Sequence, residues 1–214
     1  MPNPGNIGLT VENLACRRGE HEVFAGLSCS IGPGEALYLR GPNGSGKSSL
    51  LRVIAGFIRP AAGAVAWDGA DVAADPEAHR SRLHYVGHLD TMKPVLTVAE
   101  NLRTQAALLG EAADVDTALS RFGLAGLGDL PARFLSAGQR RRLALSRIAA
   151  VGRPLWLLDE PTVALDAESV ARLEALIAAH REGGGMAVIA THADMNLPGA
   201  RTLTLDARRR VAMP

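Results

Sequence analysis

The chain has 214 residues and a net charge of +1, from 23 basic and 22 acidic side chains. That length can enclose one sizeable core, and the near-zero charge gives no electrostatic reason to expect nucleic acid or an anionic membrane surface as partner. Cys16 and Cys29 form no CxxC or haem-attachment pattern and read as reduced thiols, no run nears the ~18 apolar residues of a membrane span, and Met1 to Gly8 lack the features of a signal peptide.

Leu9–Leu14 reads as a strand, Val23–Ile31 as an interrupted one, and Glu35–Leu39 as a third that is mostly apolar. Gly41-Pro42-Asn43-Gly44-Ser45-Gly46-Lys47-Ser48 follows and fits the phosphate-binding pattern G-x-x-x-x-G-K-[ST]. Its glycines let the backbone turn tightly enough to aim several N–H groups at phosphate oxygens. Lys47 is expected to reach the β- and γ-phosphates and the Ser48 hydroxyl to ligate Mg²⁺. A helix over Ser48–Ala55, starting Ser48-Ser49, adds its positive N-terminal end to the same anion site. Only two lysines occur, Lys47 and Lys93, so one of them stands in this loop.

Ala64–Trp67 precedes an Asp68-Gly69 turn signal and reads as a strand, as does Leu83–Val86. His84 and His88 are four apart, but a strand there sends them to no common helical face and argues against a metal pair. Helices are expected over Thr97–Leu109, Val115–Phe122 and Ala137–Val151. Leu155–Asp159 is an apolar strand ending in two carboxylates, Asp159 and Glu160, the Walker B arrangement. Asp159 is expected to hold the Mg²⁺ shell and Glu160 to polarise an attacking water. A helix over Ala167–Arg181 ends at Gly183-Gly184-Gly185, a strand Ala187–Thr191 follows, and Leu203 and Leu205 fit a last strand. Strands alternating with helices give an α/β fold of the P-loop NTPase type, with a mixed-sheet core and ligands at the strands' carboxyl ends.

Between the P-loop and Walker B lies Leu135-Ser136-Ala137-Gly138-Gln139, followed by an Arg-rich helix. With these motifs in this order, the chain resembles the ATP-binding-cassette (ABC) ATPases over nearly its whole length; their signature sequence is LSGGQ. The resemblance implies one ABC ATPase domain spanning 1–214, with a core of about 1–88 and 150–214 and a helical subdomain of about 89–149 that contacts a transporter's membrane subunit. It implies ATP and Mg²⁺ as ligands. It also implies a composite site, in which the P-loop of one subunit and the Ser136, Gly138 and Gln139 region of a second copy sandwich each ATP. Asp166, in Ala164-Leu165-Asp166, matches the D-loop at that interface, though as a helix cap it also has a purely structural use. His192 matches the histidine that reaches the γ-phosphate and helps hold the attacking water.

Three positions depart from the family pattern. His88 stands where most members carry the Q-loop glutamine. The adenine-stacking aromatic is replaced by Arg18, whose guanidinium plane can stack on a base, with Phe24 as the rival. Ala137 replaces a signature glycine, and being small it keeps the backbone close to the γ-phosphate.

Within the family, Tyr85-Val86-Gly87-His88, Met92-Lys93-Pro94, Leu96–Leu102 and Arg140–Arg147 resemble the ATP-binding subunits of the cytochrome c maturation system. That implies integral membrane subunits as partners at the cytoplasmic face of a bacterial inner membrane, and a role in haem export or in release of a haem-loaded chaperone. An exporter of a lipid or peptide is the other reading. A small GTPase would need [NT]KxD, which neither lysine supplies; a translation factor would carry two cassettes, and a DNA-repair ATPase a long coiled-coil insertion. Arg208-Arg209-Arg210 reads as a solvated tail.

Overall fold

A computed structural model describes residues 8–87, 92–110, 112 and 114–206. His88 and Arg208–Arg210 lie outside these described residues. Among them are nine strands and six α-helices: β1 (Leu9–Arg18), β2 (His21–Ile31), β3 (Ala36–Arg40), α1 (Lys47–Ile54), β4 (Ala62–Trp67), β5 (Ala70–Asp71), α2 (Pro76–Ser81), β6 (Leu83–Val86), α3 (Val98–Leu108), α4 (Val115–Arg121), α5 (Ala137–Ala150), β7 (Leu155–Asp159), α6 (Ala167–Glu182), β8 (Met186–Ala190) and β9 (Arg201–Thr204).

The strands segregate into two sheets, one antiparallel in the order β2-β1-β4-β5 and one wholly parallel in the order β6-β7-β8-β3-β9. The parallel strands β3, β7 and β8 are the chain's continuous apolar runs, as strands covered on both faces must be. Successive residues alternate between two cores. Tyr38, Trp156, Leu158, Ala187 and Ile189 face α3, α4, α5 and α6. Leu37, Leu39, Leu155, Leu157, Val188 and Ala190 face α1 and the antiparallel sheet.

The N-terminal hairpin is longer than sequence reading predicts. β1 and β2 run to Arg18 and from His21, joined through Gly19 and Glu20. Register shifts between Val11 and Leu14, Leu14 and Cys16, and Cys16 and Arg17 break the two-residue alternation that marks a strand. The helix ends, by contrast, follow local chemistry. Thr97 caps α3: its hydroxyl accepts from the Glu100 N–H at 3.1 Å, and the Glu100 carboxylate accepts from the Thr97 N–H at 2.8 Å. Asp75 caps α2, which sequence reading did not resolve because Pro76 opens a helix of only six residues.

Candidate functional site

The carboxyl ends of β3, β7 and β8 are neighbours, and each releases one motif at the same sheet edge. β3 runs into the P-loop, β7 ends at Asp159 and β8 ends just before Thr191-His192. Gly41 takes φ 142°, and a Cβ there would sit 2.3 Å from the Leu205 carbonyl oxygen, so the loop can pass β9 only as glycine. Gly46, the N-cap of α1, takes φ 100°, and a Cβ would meet Val23 Cγ1 at 2.7 Å.

Lys47 is buried, and its Nζ donates to the carbonyls of Gly41 at 2.8 Å and Pro42 at 3.1 Å. His192 meets it and joins it to residues from two other strand ends. His192 Nε2 lies 3.1 Å from Lys47 Nζ and 2.9 Å from Asn43 Oδ1. Glu160 Oε2 accepts the His192 backbone N–H at 3.3 Å, and Glu160 Oε1 lies 3.5 Å from His192 Nε2. Ser48 Oγ donates to Asp159 Oδ1 at 2.9 Å.

Asp159 is 2 % exposed, and its second carboxylate oxygen, Oδ2, is buried without a hydrogen-bond partner among the described residues. A buried carboxylate with an open acceptor is costly unless something positive meets it. A hydroxyl and a carboxylate oxygen side by side are the hard donors that Mg²⁺ takes, so these residues fit that ion. Ser45 Oγ is likewise buried and unpartnered inside the loop.

A cavity of about 310 Å³ runs along the P-loop from Glu160 and Ser48 to Arg18 and Val23. Of the two base-stacking candidates, Arg18 lines this cavity. Phe24 is 8 % exposed and belongs to the core, where its ring edge backs Gly46. Phe24 lines the adjoining groove of about 630 Å³, together with Arg18, Gly44, Ser45 and Asp206.

Ser136, Gly138, Gln139 and Asp166 are not brought onto this P-loop. Ser136 is the N-cap of α5, its hydroxyl accepting from the Gln139 N–H at 3.2 Å while Gln139 Oε1 accepts from the Ser136 N–H at 2.8 Å. Asp166 caps α6 through the Ser169 N–H at 2.8 Å, and hydrogen bonding from the Ser169 side chain, with that backbone bond second, holds its carboxyl below the usual carboxylate range. The two caps are adjacent, since a Cβ on Gly138 would lie 3.0 Å from the Ala164 carbonyl oxygen. Ser136, Ala137, Ala164 and Asp166 are all exposed along this edge.

Sequence reading missed Arg141. It is 4 % exposed, and its guanidinium donates to the carbonyls of Gly87, Asp159, Glu160 and Pro161 at 2.8, 2.9, 2.7 and 3.3 Å. In the sequence it is one of three consecutive arginines, and only packing distinguishes it from Arg140 and Arg142. His84 is buried in β6 with its Nε2 on the Val151 carbonyl at 2.8 Å. Cys16 and Cys29 are free, and burial pushes the Cys29 thiol up to about 11.

Comparison with known proteins places the chain in a family and a fold. The ABC transporter family model matches residues 24–163. The chain is 58 % identical over 202 residues to the cytochrome c biogenesis ATP-binding export protein CcmA of Paramagnetospirillum magneticum, covering 92 % of this chain and 93 % of that protein. It is 59 % identical over 196 residues to the protein of the same name from Rhodospirillum rubrum, covering 91 % and 84 %. Among solved structures, a dimeric ATP-binding cassette in a post-hydrolysis state with ADP and Pi matches with a TM-score of 0.79 at 26 % identity, covering 93 % of this chain and 94 % of that one. An ATP-binding subunit of an ABC transporter matches with a TM-score of 0.78 at 25 % identity, covering 86 % and 79 %.

Proposed function

The chain belongs to the ABC transporter family, and on that premise we infer that it is the ATP-hydrolysing subunit of a membrane complex for cytochrome c biogenesis. The observation that carries the enzymatic part is the meeting of Lys47, Ser48, Asp159, Glu160 and His192 at one sheet edge. The biological part rests on the similarity to the two CcmA proteins over more than nine-tenths of this chain.

The reaction is ATP plus water to ADP plus phosphate. Backbone N–H groups of the loop from Asn43 to Ser49 and the Lys47 ammonium hold the phosphates. Ser48 and Asp159 would hold Mg²⁺, which would supply positive charge to offset that of the phosphates. Glu160 takes the proton of the attacking water, and His192, tied to Glu160 through its own N–H, fixes where that water sits. Arg18 stacks on the base at the far end of the cavity. His88 takes the Q-loop position.

Ser136, Gly138 and Gln139 serve the ATP of a second copy, and Asp166 lies at the shared surface. Their exposed edge, flanked by the exposed apolar side chains Phe134 and Val163, supports that reading. ATP then closes the dimer and hydrolysis reopens it. Only the difference in affinity between those states can do work on a partner. Among the described residues no helix is long and apolar enough to cross a membrane. The chain therefore acts through integral membrane subunits that meet residues 89–149, at the cytoplasmic face of a bacterial inner membrane. The outcome is haem export or release of a haem-loaded chaperone.

Deleting the gene in its host and restoring it with wild-type or Glu160→Gln protein tests the whole reading. Covalent haem staining of membranes is expected to disappear on deletion and return only with the wild type, while b-type haem is unchanged. Undiminished c-type cytochromes would move the cargo to another exported substrate, such as a lipid or peptide. In solution, Glu160→Gln is expected to bind MgATP and elute as a dimer with turnover lowered at least ~100-fold. Unimpaired turnover would remove Glu160 from the role of base.

A further inference from the structure

Glu160 leaves β7 in a backbone conformation that residues with a Cβ rarely adopt, at φ 46°. Such a residue stays there only when its surroundings over-determine it. Both of its peptide groups are held. Its N–H donates to the Ala190 carbonyl at 2.7 Å, and its own carbonyl accepts from Arg141 Nη2 at 2.7 Å. The same Nη2 donates to the Asp159 carbonyl at 2.9 Å, and Arg141 Nε reaches the Pro161 carbonyl at 3.3 Å. One guanidinium thus grips three consecutive carbonyls, and its Nη1 holds Gly87, at the end of the neighbouring strand β6, at 2.8 Å.

We propose that Arg141 is the positioning residue for the Glu160 carboxylate, tying it to α5 and so to the Ser136–Gln139 cap. The proposal rests on the reading of Glu160 given above. Arg141 acts by fixing the peptide groups on either side of Glu160. Its place five residues after Ser136, in the second turn of α5, makes it the hydrogen-bonded link from the exposed cap to the half-buried Glu160. A shift of α5 that follows occupation of the Ser136 edge is carried to Glu160 by a rigid planar fork. Lysine cannot replace it, because its donors leave a single nitrogen and cannot span carbonyls on two strands. When the fork is lost, Glu160 relaxes toward negative φ and its carboxylate leaves the His192 N–H. Phosphate binding, which uses other groups, is untouched.

The test uses the purified full-length chain as wild type, Arg141→Lys, Arg141→Gln and Glu160→Gln. kcat and KM for MgATP are measured well below the lowest melting temperature of the set, and MgATP affinity is measured separately with a fluorescent ATP analogue. The expected result is a kcat lowered ~10-fold by Arg141→Lys and ~100-fold by Arg141→Gln, with affinity within about threefold of wild type. A kcat for Arg141→Lys within about twofold of wild type would overturn the proposal. So would a fall of kcat and affinity together, in step with melting temperature, which marks a purely structural residue. Absence of turnover in the wild type, with Glu160→Gln no different, would instead overturn the ATPase reading beneath it.

Discussion

Lys47 and Gly46 adjoin in the chain but answer to different physics. Lys47 brings a charge that its neighbours meet with two carbonyls and an imidazole. Lys47→Ala is expected to weaken MgATP binding at least ~10-fold with little change in melting temperature, read by nucleotide titration and thermal melts. Gly46 supplies the absence of a side chain. In Gly46→Ala the new Cβ would meet Val23 Cγ1 at 2.7 Å and Phe24 Cδ1 at 3.0 Å, at φ 100°. That substitution is expected to cost about 1–3 kcal/mol of stability and to weaken nucleotide binding as well, because the strain bends the loop that aims the N–H groups. A normal melting temperature in Gly46→Ala would show that the hairpin β1–β2 gives way more easily than its packing implies.

At the scale of the element, α5 carries two duties on one residue. Ser136 satisfies the helix end and is also the group offered to a second copy's ATP in the proposed dimer. Ser136→Ala is expected to lose about 1 kcal/mol of stability, the usual cost of a missing cap, and to lose turnover too. Ser136→Asp separates the duties. Aspartate caps as well as serine, so stability should return, while its negative charge opposes a phosphate and turnover should stay low. Recovery of turnover in Ser136→Asp would mean that the cap alone is what activity requires. The same element also shows why Arg141 escaped the sequence: a helix interior gives no local mark of which arginine turns inward.

Across the whole molecule, two buried histidines, His79 and His84, and the half-buried His180 contribute to the response to acid. Burial pushes His84 down to about 4 and also lowers His79 and His180, the last stacked on Trp156 with ring centroids 3.8 Å apart. For His84 the folded value lies below the unfolded one near 6.5, so the unfolded chain binds the extra proton first. Its contribution is complete above about pH 6.5 and is lost as pH falls toward 4, at about 1.4 kcal/mol per pH unit for one proton. Melting temperature is therefore expected to drop through that window. The slope should be shallower in His84→Asn, whose amide can still donate to the Val151 carbonyl. An unchanged slope would place the acid response elsewhere.

The sequence by itself determined the parts whose physics is local. The P-loop pattern, the capping residues Ser136, Thr97 and Asp166, and the apolar runs of β3, β7 and β8 are each specified by a few neighbours in the chain. They were enough to give an α/β P-loop fold and to name the residues of the candidate site. Tertiary structure decided what depends on chain segments far apart. It sorted the strands into an antiparallel and a parallel sheet, because irregular register in β1 and β2 erases the alternation that would announce them. It put Arg18 rather than Phe24 on the cavity, because burial is a property of the surrounding core. It placed Glu160 at positive φ and turned Arg141 onto the peptide groups beside it. Backbone carbonyls are common to every residue type, so no sequence pattern records which of them a distant guanidinium will meet.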